Sequence, residues 1–179
     1  MRRLFIVIAV LSALILVGCN SSPTAPFDPN ACAAGTTSAY TATSTNHVAL
    51  GTRVTYSSNP PCIGQHYGRV VPGGVYTSAV APEYWVHDLE HGAIVMLYDC
   101  STGCTGEMDA LEAIANARPP DARGRFCWLL SPYNGMGSRV AVIAWGWVYQ
   151  ADCIHEDEIN AFIDAHYRRA PEDFAIPMP

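Results

Sequence analysis

Residues 4–17 form an apolar run broken only by Ser12, between a basic start, Met1-Arg2-Arg3, and Gly18-Cys19. This segment constrains the fold most, because it takes the most hydrophobic stretch of the chain out of the core. The run is short for a bilayer span and matches the apolar region of an export signal. Leu16-Val17-Gly18-Cys19 resembles a bacterial lipobox. The expectation is a signal peptide over residues 1–18, cleavage before Cys19, and lipid chains on Cys19 that anchor the protein to a membrane surface facing the periplasm or the cell exterior.

From Asn20 to Asn46 the chain is rich in Ser, Thr, Pro, Ala, Gly and Asn, with Phe27 and Tyr40 as its only large apolar groups. Such a stretch buries too little surface to offset its ordering entropy, so residues 19–46 read as a flexible tether. One domain then spans residues 47–179, an ordinary size for a single core. The whole chain has 179 residues and a formal charge of −6, with half its residues apolar. That composition excludes a disordered chain, and an acidic chain without a basic cluster is not built for nucleic acid.

Export would place the remaining cysteines, Cys32, Cys62, Cys100, Cys104, Cys127 and Cys153, in an oxidising compartment, where disulfides are expected and fifteen pairings are possible. Cys100 and Cys104 enclose Ser-Thr-Gly and are close enough in sequence to pair locally. Cys62, Cys127 and Cys153 are further disulfide candidates, and Cys32, in the tether, is the least predictable.

Apolar patterning predicts short strands at Thr52–Tyr56 and Val75–Val80, a buried strand at Ala93–Tyr98, and two more at Phe126–Leu130 and Val140–Tyr149. Pro82 and Gly92 bracket a short helix. Thr105 can cap a second helix carrying Met108, Leu111, Ile114 and Ala115. Asp152 can cap a third with Ile159, Phe162, Ile163 and Tyr167 on one face. The order predicts an α+β domain with a largely antiparallel sheet covered by about three helices.

The candidate site lies in Val86-His87-Asp88-Leu89-Glu90-His91-Gly92. On a helix, His87 and His91 sit one turn apart and can meet at one metal ion, with Glu90 as a third ligand, an orienter or a general base. His66, in a loop flanked by Gly64 and Gly68, is the natural further ligand. Cys62 and Met136 are weaker ones, and His47, His155 and His166 show no convergent partners. The set suits zinc or copper. The H-x-x-E-H order also marks inverted zinc peptidases, but the helix here is short and runs directly into a strand. The first reading is therefore an envelope protein that binds a transition metal or small ligand at His66, His87, Glu90 and His91. The second is a zinc hydrolase with Glu90 as base. The third is a structural module, docking on an envelope protein, in which the histidines are scaffold.

Tyr56-x-x-x-Pro60-Pro61-x-x-Gly64-x-His66, Gly74-Val75-Tyr76, Val86-His87-x-Leu89-Glu90-His91-Gly92, Ala144-Trp145-Gly146 and Pro171-Glu172 follow one another in the chain. This succession resembles the bacterial domain-of-unknown-function family 3105 over about residues 47–173. The resemblance implies that the histidine site is shared by the family and implies no reaction. Ser or Thr stands more often at the position of Cys62 in that family, which implies a local disulfide for Cys62 rather than a shared ligand.

Overall fold

The computed structural model describes residues 32–101, 103–104, 106–172 and 176–177. Cys19 and the expected signal peptide lie outside the described residues. Among the described residues no helix is long and apolar enough to cross a membrane.

The central sheet is built around Ile94–Tyr98 (β5), whose five residues are all buried. Ile94, Met96 and Tyr98 point to one face and Val95 and Leu97 to the other, and each set joins a different hydrophobic cluster. An unbroken apolar strand is what a sheet covered on both sides requires. On the first face pack Glu107–Ala117 (α2) and Glu156–His166 (α3), through Leu111, Ile114, Ile159, Phe162 and Ile163. On the second lies Pro82–Glu90 (α1), which buries Trp85, Val86 and Leu89 against Val95, Leu97, Leu129 and Ile143. The domain is thus a three-layer α+β fold, with α1 alone among the helices on the site side.

The six strands of the sheet run in the order Thr36–Ala39 (β1), Trp147–Ala151 (β8), Val140–Ala144 (β7), β5, Trp128–Pro132 (β6), Gly74–Val75 (β4). The pairs β1/β8, β8/β7 and β7/β5 are antiparallel, whereas β5/β6 and β6/β4 are parallel. The parallel step follows from α2, since β5–α2–β6 is a crossover unit that returns the chain in the same direction.

Five expectations are corrected by this topology, the first being the strand at Val75–Val80, which is reduced to the two-residue β4, Gly74–Val75. The expected strand at Val140–Tyr149 is two strands folded on each other, with Ala144 opposite Trp147 and Trp145-Gly146 as the turn. Thr52–Tyr56 is irregular, and is held instead by side chains: Val54 N–H donates to Glu83 Oε1 (3.1 Å), and Tyr67 Oη–H donates to the Thr52 carbonyl (3.0 Å). The third helix starts after His155 rather than at an Asp152 cap. The last part of the expected tether is not free chain, because β1 adds to the sheet edge with Thr36 opposite Gln150 and Ala39 opposite Trp147.

Among the described residues the cysteines form two disulfides, Cys32–Cys153 and Cys100–Cys104. Cys62 and Cys127, both expected as disulfide candidates, are free and buried. Cys62 Sγ lies 3.4 Å from Ser58 Oγ, and burial pushes its thiol up to about 11.

Candidate functional site

Four side chains from three elements converge beside α1. His87 and Glu90 come from α1 itself, three residues apart and so on one face of the helix. His66 comes from His66–Tyr67 (β3) and His47 from His47–Val48 (β2). These two-residue strands pair in parallel with His47 directly opposite His66. One donor atom from each of His47, His66, His87 and Glu90 falls within 4.8 Å of the others. Glu90 Oε2 is the hub, at 3.0 Å from His66 Nε2, 3.6 Å from His47 Nε2 and 3.9 Å from His87 Nδ1. Nitrogen and oxygen ligands arranged tetrahedrally around zinc are separated by about 3.4 Å, so the three distances bracket that spacing.

The hydrogen bonds around the cluster direct lone pairs inward. His66 is fully buried, and its Nδ1 lies 2.8 Å from the Gly64 carbonyl, an acceptor only. Nδ1 therefore carries the proton, and in the neutral ring Nε2 presents a lone pair to a carboxylate oxygen 3.0 Å away. Two acceptors that close in a buried place require a positive charge between them, either a proton or a metal ion. Gly64 makes this arrangement possible, since its φ of 141° lies where other residues are strained.

His87 shows the same logic from the other side. Its Nε2 lies 2.9 Å from His91 Nε2, while its buried Nδ1, facing Glu90, makes no hydrogen bond. With the His87 proton on Nε2, Nδ1 is free as a ligand atom. Burial, then the neighbouring His91, His66 and His47 rings, pushes His87 down to about 4. It stays neutral, the form a metal needs, through the physiological range.

His91 falls outside this four-donor group. It was expected as a ligand through its i, i+4 relation to His87. It stands instead at the C-cap of α1 and meets His87 ring to ring, with centroids 4.6 Å apart. Burial lowers its pKa, against the Glu172 and Glu90 carboxylates, which raise it. His47 takes the ligand place expected for His91. Its side chain is 53% exposed, so the cluster opens to solvent on that side. The opening is a polar cavity of about 280 Å³ lined by Thr45, Asn46, His47, Glu90 and Glu172.

The remaining candidates fall elsewhere. Cys62 and Met136 are buried in the hydrophobic cluster under α1, and neither belongs to the donor set. His166 stacks on Trp147 with centroids 4.4 Å apart. His155 does have convergent neighbours, Cys32 and Cys153, contrary to expectation. His47 could be found from the sequence only by pairing its segment with His66, and a two-residue bridge carries no periodicity to reveal it.

No curated protein and no solved structure matches the chain. The family profile described as protein of unknown function (DUF3105) matches residues 47–177, which contain all four converging residues. The chain belongs to that family, and the His47–His66–His87–Glu90 cluster lies wholly within its family domain.

Proposed function

We propose that the domain binds one divalent transition metal ion through His47 Nε2, His66 Nε2, His87 Nδ1 and Glu90 Oε2, as an exported protein anchored through lipid on Cys19. The observation that carries this reading is the 3.0 Å approach of His66 Nε2 to Glu90 Oε2 while His66 Nδ1 is committed to the Gly64 carbonyl. Three imidazoles and a carboxylate are borderline-to-hard donors, with no thiolate or thioether among them. They suit zinc(II) or copper(II) better than copper(I). The two disulfides fit an oxidising compartment, in keeping with export.

The zinc-hydrolase reading is weaker than the binding reading, because Glu90 Oε2 points at the other donors and serves as a ligand rather than a free base. The solvent cavity beside His47 keeps it a testable alternative.

The experiment is elemental analysis of tag-free protein followed by zinc and copper(II) titration of the metal-stripped form. One equivalent is expected. His66→Ala, His87→Ala and Glu90→Gln should each weaken binding at least about 100-fold, whereas His91→Ala, which removes the ring partner of His87, should cost about 10- to 100-fold. A parent that binds neither metal, or three variants that bind like the parent, would make the cluster scaffold. A Glu90→Gln protein that keeps its metal but loses hydrolysis of an ester or peptide would establish the hydrolase.

A further inference from the structure

A second group of metal-ligating side chains lies at the end of β8, built by different residues from those around α1. Cys32, Cys153 and His155 each place one ligand atom within 4.8 Å of the other two. His155 Nε2 is 3.5 Å from Cys153 Sγ. A sulfur and a nitrogen on one tetrahedral zinc are separated by about 3.6 Å, so this spacing is already that of two ligands. The two sulfurs are joined as a disulfide and cannot ligate in that state.

What makes the group more than a covalent link is that the fold holds its parts together by other means. β1, which starts four residues after Cys32, pairs along its length with β8, which ends two residues before Cys153. Gly35 N–H donates to Glu158 Oε2 on α3 (2.9 Å), and Tyr149 Oη–H donates to the same oxygen (2.9 Å). In the closed form His155 Nε2 also lies 3.0 Å from the Ala33 carbonyl, a contact that places the ring beside the Cys32 segment and is not needed to hold β1 on β8. Opening the disulfide therefore leaves two thiols and an imidazole facing one another on a rigid edge. A solvent-open cavity lined by Ala33, Ala34, Ala151 and Asp152 adjoins them, and its water can complete a fourth position.

We propose that Cys32, Cys153 and His155 form a redox-gated site for a thiophilic divalent ion such as zinc or cadmium, closed as the disulfide and opened by a dithiol reductant. In the opening step the dithiol is oxidised to its own disulfide. Its two electrons break the Cys32–Cys153 bond, and its two protons pass to the two sulfurs. Binding the ion then releases those protons to water and leaves two thiolates on the metal. His155 ligates through Nε2 with its ring proton on Nδ1, giving up its contact with Ala33. Among the described residues the oxidised protein offers the cluster of His47, His66, His87 and Glu90, whereas the reduced protein offers a chemically softer site as well. The inference is independent of the proposed function, since the two groups share no residue.

The test is titration of the full chain with cadmium(II) chloride before and after reduction by a water-soluble phosphine, read by the sulfur-to-cadmium charge-transfer absorption. Imidazole and carboxylate ligands do not produce that band, so failure of either reading is visible separately. The reduced protein should develop the band with one equivalent of cadmium and keep the far-ultraviolet circular dichroism of the oxidised form. In a Cys100→Ser/Cys104→Ser background, which removes the other reducible pair, the band should persist, and adding Cys153→Ser should abolish it. His155→Ala, which retains every cysteine, should weaken cadmium binding at least tenfold. A reduced protein that lacks the band, or that unfolds, overturns the proposal, as does unchanged cadmium affinity in His155→Ala.

Discussion

Asp88 sits between the site residues of α1 and does a different job. It is fully buried; its Oδ1 accepts the Val71 N–H at 3.1 Å, and its Oδ2 has no partner. Burial holds its carboxyl well above the usual range, against the Val71 hydrogen bond, so the native state keeps the proton. The unfolded chain ionises near pH 4 and the native one does not. The stability this residue allows is thus complete below about pH 4 and is lost as pH rises, until the native carboxyl itself ionises. In metal-free protein, Asp88→Asn should keep the Val71 contact and remove the loss. Its advantage over the parent should grow as pH rises above about 4, until the native carboxyl itself ionises. Urea midpoints at pH 4.5 and pH 7 check this, and equal midpoint shifts at the two pH values would refute it. The H-x-x-E-H spacing was enough to locate His87 and Glu90 in the sequence. It did not show that His91 meets His87 ring to ring outside the four-donor group, because spacing places a residue on a helix face but does not say which ring nitrogen faces the neighbour.

At the scale of elements, legibility followed length. The three helices and β5 declared themselves through period and stops, and all four are present, whereas the expected caps did not hold, the N-caps being Ala81, Gly106 and His155 with no side-chain cap hydrogen bond. The bridges β2 and β3, two residues each, are set by tertiary contacts and left no pattern. The turn at Trp145-Gly146 was hidden because both flanking strands are apolar and read as one run. The β2–β3 pair nevertheless decides the site, since it aligns His47 with His66. Gly68 follows β3, and a Cβ built there would lie 2.9 Å from His47 Nδ1. Gly68→Ala should push the His47 ring out of line. Zinc affinity is expected to fall to about that of His47→Ala, with the melting temperature of the metal-free protein little changed. Parent-like affinity in Gly68→Ala would show that the His47 ring adapts.

For the whole molecule, the disulfide pairing shows where sequence spacing stops informing. Cys100–Cys104 was legible because its partners are 4 residues apart. Cys32–Cys153, with a separation of 121, was not, because nothing local marks which distant strand β1 will join. Cys62 and Cys127 remain unpaired because each is packed into a separate cluster, Cys62 under α1 and Cys127 beside Ala93 and Ile176. Alkylation in denaturant without reductant, followed by peptide mass mapping, should label Cys62 and Cys127 and none of Cys32, Cys100, Cys104 and Cys153. In the native protein at pH 8, Cys62 should react far more slowly than a free thiol, since it is buried and its thiolate is scarce. Rapid native labelling of Cys62 would contradict its place in the core.

The link from Cys32 to Cys153 also changes what a cut in the backbone does. Leu50 and Gly51 form an exposed turn just after His47, with Leu50 59% exposed. That turn is the kind of place a protease enters. A chain severed between Leu50 and Gly51 keeps its amino-terminal piece on the body of the protein through Cys32, and with it His47 opposite His66. Limited proteolysis there should yield one band on a gel run without reductant and two with it. The severed protein should still take up metal at its three-histidine cluster, so with the amino-terminal piece held by the disulfide the peptide bond after Leu50 is dispensable to the site.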